Sequence, residues 1–175
     1  MGKYSLELKH GQEAEETFAE LAELNGYIVE ESSNYSNIVE HIDFNVVSRK
    51  GLVDFSVDVK ARKKSRRNDT WYEDQMIWVE FHNVAGKKGW LYGEADKIAF
   101  ERENDFVIVD RKDLTKFCEK AVAPIFVKSP AEALYKIYRR KTRKDVISKV
   151  LMIDIVDEIE NIIYWNKVVD NKNKV

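Results

Sequence analysis

Residues 52–60 read Leu-Val-Asp-Phe-Ser-Val-Asp-Val-Lys, an alternation that an extended strand sorts onto two faces. Successive side chains of a strand point to opposite sides, so Val53, Phe55, Val57 and Val59 make an apolar face, and Leu52, Asp54, Ser56, Asp58 and Lys60 a polar one. Asp58 and Lys60 therefore emerge side by side. The preceding run, Ile38 to Val47, divides in the same way: Ile38, Ile42, Phe44 and Val46 share a face, leaving His41, Asp43 and Asn45 on the other. Two such strands, joined by a turn at Arg49-Lys50-Gly51, bring Asp43 and Asp58 together.

Working outward, the spacing predicts a helix from about Gln12 to Asn25, stopped by Gly26, and a strand at Tyr27–Glu31. After a polar loop over Lys63–Asp74, alternation resumes at Met76–Val84, with Trp78, Glu80 and His82 on one face. Short strands at Ile98–Glu101 and Phe106–Asp110 bracket a hairpin turn. Asp110 with Asp113, and Ser129-Pro130 with Glu132, read as helix starts, so residues 131–140 are expected to be helical. Residues 145–168 fit either a strand followed by a helix or one long helix. The expected whole is one α/β domain over residues 1–175, a central mixed β-sheet flanked by helices, with its core over about 11–110 and a helical C-terminal part over about 111–168.

Composition narrows the function classes. The chain has 175 residues, enough for one sizeable core and cramped for two. Cys118 is the only cysteine, which removes intrachain disulfides and cysteine zinc sites and suits a reducing, cytoplasmic setting. No apolar run approaches the ~18 residues that cross a bilayer. The net charge of −2 argues against a broadly basic coat, but the charge is segregated. Residues 1–43 are strongly acidic, whereas Arg62, Lys63, Lys64, Arg66 and Arg67 crowd directly after Lys60, and Arg139, Arg140, Lys141, Arg143 and Lys144 form a second cluster. Clusters of this kind can contact phosphates and steer DNA toward a site, and a solvated loop and an exposed helix end fit either cluster alone equally well. Lys87, Lys88 and Trp90, in a glycine-punctuated loop, suit backbone approach and base stacking; a structural turn with a buried Trp90 fits them equally.

Asp43, Asp58-Val59-Lys60 and the segment Gly11-Gln12-Glu13-Ala14-Glu15, with Phe18, Leu21, Leu24 and Gly26-Tyr27 behind it, resemble the PD-(D/E)XK nucleases. That superfamily includes many restriction endonucleases, and the opening helix is similar to that of the archaeal Holliday junction resolvases. The likeness covers roughly residues 11–62, and Ile42 stands where the family's name has proline. It implies a restriction-endonuclease-like fold and a Mg2+-dependent deoxyribonuclease, with Mn2+ as a substitute metal. The metal would be held by Asp43, Asp58, the Val59 carbonyl and Glu15, directly or through water, and Lys60 would act on the attacking water or the developing charge. DNA is the implied partner, a homodimer is left open and no membrane is involved.

The residue types suit that chemistry. Hydrolysing a phosphodiester calls for a nucleophilic water, charge neutralisation and a stabilised leaving group, and a hard divalent cation on carboxylates contributes to all three. Asp54 rivals Asp58 on the same face, and Glu80 is a reserve ligand if its strand neighbours the Asp58 strand. His41 and His82 read as satisfied polar residues, since three histidines without ligand spacing make no zinc site. The alternative function is a non-catalytic nucleic-acid-binding relative of the nuclease fold.

Overall fold

The structure is a computed structural model that describes residues 3–49, 53–62 and 74–167. Its elements run α1 (Lys3–Leu24), β1 (Tyr27–Glu31), β2 (Phe44–Ser48), β3 (Val53–Lys60), β4 (Met76–His82), β5 (Lys97–Glu101), β6 (Asp105–Asp110), α2 (Arg111–Ala121), β7 (Ala123–Val127), β8 (Lys136–Tyr138), β9 (Val146–Leu151), α3 (Met152–Glu158) and β10 (Ile163–Asn166). A six-stranded sheet has the order β1-β2-β3-β5-β6-β10, and a four-stranded sheet the order β4-β9-β8-β7. In the larger sheet β3 and β5 are parallel and the other neighbours antiparallel, so the sheet is mixed.

The larger sheet is the middle layer. Helix α1 covers one face, burying Ala14, Phe18, Leu21 and Ala22 against Phe44, Val46, Phe55, Val57, Val59, Phe106 and Trp165. The spacing of those helix residues puts them on one stripe. Phe18 is fully buried and meets three rings, with centroids 6.1 Å away at Phe44, 5.5 Å at Phe106 and 5.0 Å at Trp165. On the other face Ile98, Phe100, Val107 and Val109 pack against the smaller sheet (Ile77, Val79, Val146, Val150) and against Leu114, Met152 and Ile155 of α2 and α3. Strands β5 and β6 are covered on both sides, which accounts for their near-continuous apolar runs. Phe18→Ala removes the centre of the aromatic cluster, so we expect a loss of about 3–5 kcal/mol in denaturant unfolding; a loss below 1 kcal/mol would show that α1 is not packed here as described.

Three expectations are corrected. Helix α1 begins at Lys3 rather than near Gln12, its first turns adding the Lys9–Glu13 ion pair at 3.4 Å one turn apart. It stops as anticipated, at Gly26 with φ +89°. The run 38–47 is not one strand: Ser36–Glu40 form a π-helical turn, His41 takes a left-handed φ of 56°, and β2 starts only at Phe44. The cause is local. Ser32 Oγ donates to the Ile42 carbonyl and Ser33 Oγ accepts from the Ser36 amide, so side chains take the backbone partners that a strand would need. Ile38 is consequently 73% exposed.

The C-terminal part is mixed rather than helical. Ser129 does cap a turn, accepting from the Ala131 amide, but that turn ends at Glu132. The Ala133 carbonyl then accepts from the Lys149 amide and Tyr135 adopts φ +53°, drawing residues 136–138 into the smaller sheet. Of the two readings for residues 145–168, strand then helix is the one adopted, and the chain continues into β10 beside β6. Among the described residues no helix is long and apolar enough to cross a membrane.

Candidate metal and phosphate site

Strand β3 carries the site because its two faces meet different neighbours. Phe55, Val57 and Val59 turn toward α1, which leaves Ser56, Asp58 and Lys60 on the opposite side. Asp96 braces that side, accepting from the Ser56 amide (2.9 Å) and hydroxyl (2.8 Å) where β5 begins. Asp43 precedes β2. Its amide donates to the Val57 carbonyl at 2.8 Å, the last backbone link between the two chains, and its Oδ2 accepts from the Val59 amide at 2.7 Å. Its Oδ1 accepts from Asn37 Nδ2 at 2.7 Å.

Amide and carbonyl of one strand residue point to the same side, and residues two apart agree. Val57 and Val59 thus both present their polar backbone toward Asp43, so the Val59 carbonyl points past the end of β2 on the Asp43 side.

Asp58 is 3% exposed. Its Oδ1 lies 2.6 Å from Lys60 Nζ, and its buried Oδ2 receives no donor from the described residues, the Asp43 carboxylate lying close enough to share a proton with Asp58. An unsatisfied buried carboxylate oxygen is costly unless a proton or a cation supplies what is missing. Burial drives the Asp58 carboxyl up to about 7; Lys60 works against that rise and the neighbouring Asp43 adds to it. Lys60 is itself partly exposed, and its ammonium lies 5.1 Å from the centre of the Trp90 ring.

Glu15 sits half-buried on α1, within electrostatic reach of Asp43 and Lys60. Burial chiefly, then Asp43, raises its carboxyl to about 7, with Lys60 opposing. His41 feels the same two groups from the turn before Asp43: burial first and Lys60 second lower its pKa, and Asp43 opposes them. The four residues expected to do chemistry, Glu15, Asp43, Asp58 and Lys60, therefore occupy one neighbourhood. Among the described residues, no group of three or more His, Cys, Asp or Glu side chains stands ready to enclose a metal ion. The donor set that fits a divalent cation is the pair Asp43 and Asp58, with the orphaned Oδ2 facing the deficit that a cation would fill.

Other expected residues fall elsewhere. Arg62 is 9% exposed and its guanidinium is held by Asp74 at 2.7 Å and Glu103 at 3.6 Å, a structural clamp rather than a phosphate contact. Lys63, Lys64, Arg66 and Arg67 lie outside the described residues, as does the side chain of Asp54. Lys87 and Lys88 are exposed at a turn that Asn83 Oδ1 closes by accepting from the Ala85 and Lys87 amides. Trp90 takes the buried alternative: it is 8% exposed, edge-on to Phe100 and beneath Lys60, so its ring is not a platform for bases. Glu80 is not a neighbour of Asp58, because β4 pairs with β9 in the smaller sheet and β3 pairs with β5. His82 is exposed at the end of β4.

Sequence reasoning missed Asn37, which orients Asp43 from the π-helical turn; no periodicity signals that a turn folds back on a strand end.

The carboxyl shifts set a pH dependence. Asp58 and Glu15 bind protons more tightly folded, near 7, than at their ordinary values of 3.8 and 4.5. The metal-free fold therefore loses stability as pH rises through that window up to about 7 and regains it on acidification toward 4. We expect a higher Tm at pH 6 than at pH 8 in chelator, with Asp58 contributing on the order of 1 kcal/mol per pH unit. Asp58→Asn should flatten the profile; identical profiles for both proteins would remove Asp58 as the titrating group.

No family model matches the chain, and no curated protein or solved structure is significantly similar to it.

Proposed function

We propose that this chain is a Mg2+-dependent deoxyribonuclease with a PD-(D/E)XK site on a restriction-endonuclease-like core. The observation that carries the reading is the buried, unpartnered Oδ2 of Asp58, set beside Asp43 and two residues before a lysine that already contacts the same carboxylate. The order of elements supports it: a glutamate-bearing helix, an antiparallel β1-β2-β3 meander, then a strand parallel to β3.

Asp43, Asp58 and the Val59 carbonyl would hold the metal, and Glu15 would join them through water. Bound there, Mg2+ would supply charge neutralisation on the phosphate and a more acidic water. Lys60 places its ammonium at the open end of β3, where it donates hydrogen bonds to a phosphate oxygen or to the attacking water. Asn37 and the Val59 amide fix the Asp43 carboxylate in one orientation, as outer hydrogen bonds do for metal ligands. Mn2+ would fit the same oxygen donors.

The second reading, a binding module without chemistry, is favoured by the lack of a third converging ligand among the described residues. A panel of labelled linear, branched and single-stranded DNAs, incubated with and without Mg2+, separates the two. The nuclease reading expects cleavage of at least one substrate that EDTA abolishes; retention of DNA without cleavage in Mg2+ or Mn2+ would leave the binding module.

A further inference from the structure

The outer face of the smaller sheet carries a set of side chains that neither the core nor the carboxylate site uses. Trp78 and Glu80 of β4 point away from the buried Ile77 and Val79. Their cross-strand partners are Lys149 and Ile147 of β9, and Ile147 in turn faces Tyr138 of β8. The rings of Trp78 and Tyr138 stand 6.4 Å apart at 49°, with the Lys149 ammonium 5.0 Å from the Trp78 ring. Trp78, Tyr138, Glu80 and Ile147 line a cavity of about 330 Å³ with Trp90 and Arg140. Trp90 is its wall toward Lys60, whose ammonium contacts the same ring system at 5.1 Å. The cavity and the candidate phosphate site are thus one indole apart.

The cavity opens beside a basic rim. The Lys144 amide donates to the Val84 carbonyl at 3.2 Å, and a Cβ on Gly86 would come within 3.3 Å of the Lys144 side chain, so turns 83–88 and 139–144 touch. Those turns expose Lys87, Lys88, Lys141, Arg143 and Lys144 and hold no carboxylate. Arg140 reaches from this rim into the cavity, its Nε fixed by the fully buried Asp145.

We propose that this face binds a single strand of DNA: an unpaired base enters the cavity and stacks against the aromatic pair Trp78 and Tyr138, and the rim cations follow its phosphates. The chemistry favours a single strand because paired bases keep their faces stacked on one another, whereas unpaired ones offer them to aromatic rings, sequence-tolerantly and alongside cations. The inference rests on the nuclease reading for its consequence, that the substrate carries an unpaired arm next to the bond cut at Asp43 and Asp58.

The test reads binding separately from cleavage. Fluorescence anisotropy in Ca2+ would follow a labelled single-stranded 12-mer, a duplex with a single-stranded arm and a blunt duplex, with wild type, Trp78→Leu, Tyr138→Leu and Tyr138→Phe. Thermal melts would confirm the fold of each. The expected result is about a tenfold loss per ring removed on the single strand and the armed duplex, no change on the blunt duplex, and wild-type affinity for Tyr138→Phe. Unchanged single-strand affinity in both leucine variants, or equal losses on blunt duplex, overturns the proposal. Cleavage of blunt DNA by leucine variants with unaltered binding would sink this inference and leave the nuclease; ring-dependent arm binding without any cleavage would do the reverse.

Discussion

On the proposed nuclease function, Asp58→Asn and Asp43→Asn proteins are expected to lose DNA cleavage by about three orders of magnitude while keeping their fold, because the several kcal/mol of charge stabilisation that a bound metal would supply would depend on both carboxylates. Asparagine is the right replacement at each position. At Asp43 it keeps an acceptor for the Val59 amide, and at Asp58 it fills the same buried volume without a charge to desolvate. The Asp58→Asn protein should even melt higher than wild type at pH 8 in chelator, since the substitution removes a carboxylate whose ionisation the fold resists. The double variant should lose little beyond either single one, as groups that serve one ion act as a unit. Single-turnover cleavage by Asp58→Asn within tenfold of wild type would falsify the metal assignment.

Lys60→Met will slow single-turnover cleavage by about 10²–10⁴-fold with DNA affinity in Ca2+ nearly unchanged. Methionine keeps an apolar stem over the Trp90 ring and loses only the ammonium. A second signature separates this role from a structural one. Without Lys60 the Asp58 carboxyl loses the one neighbour that opposes its upward shift, so the acid limb of the residual rate against pH should move to higher pH. A wild-type rate would make Lys60 a solvated strand residue, and a parallel loss of binding and cleavage would make it a phosphate anchor.

What could be read from the chain was whatever a short period or a local cap decides. The alternation of residues 52–60 placed Asp58 and Lys60 on one face, and Asp110 caps α2 as expected, accepting from the Lys112 and Asp113 amides. Where long-range pairing competes with local preference, reading failed. The Ser129-Pro130 start is real, yet the Ala133 carbonyl is claimed by Lys149, and a helix that loses its acceptors cannot propagate. Likewise β4 has a clear alternation, but nothing in Met76–His82 reveals that its partner is β9, far along the chain, and not β3. Asp43 was found for a partly mistaken reason: it faces Asp58 from the residue before β2, held by Asn37 and the Val59 amide, and not from the middle of a long strand.

The pairing of Trp165 with Phe18 has a consequence for how the molecule comes into being. Helix α1, which carries Glu15, is synthesised well before β10, the strand whose Trp165 closes its aromatic socket. During translation the helix can lie on β2 and β3 early, but the side of Phe18 that meets Trp165 stays open until β10 has emerged. A chain cut short before β10 would lack the strand that completes the seat of the helix, so the position of Glu15 depends on residues about 150 further along the chain.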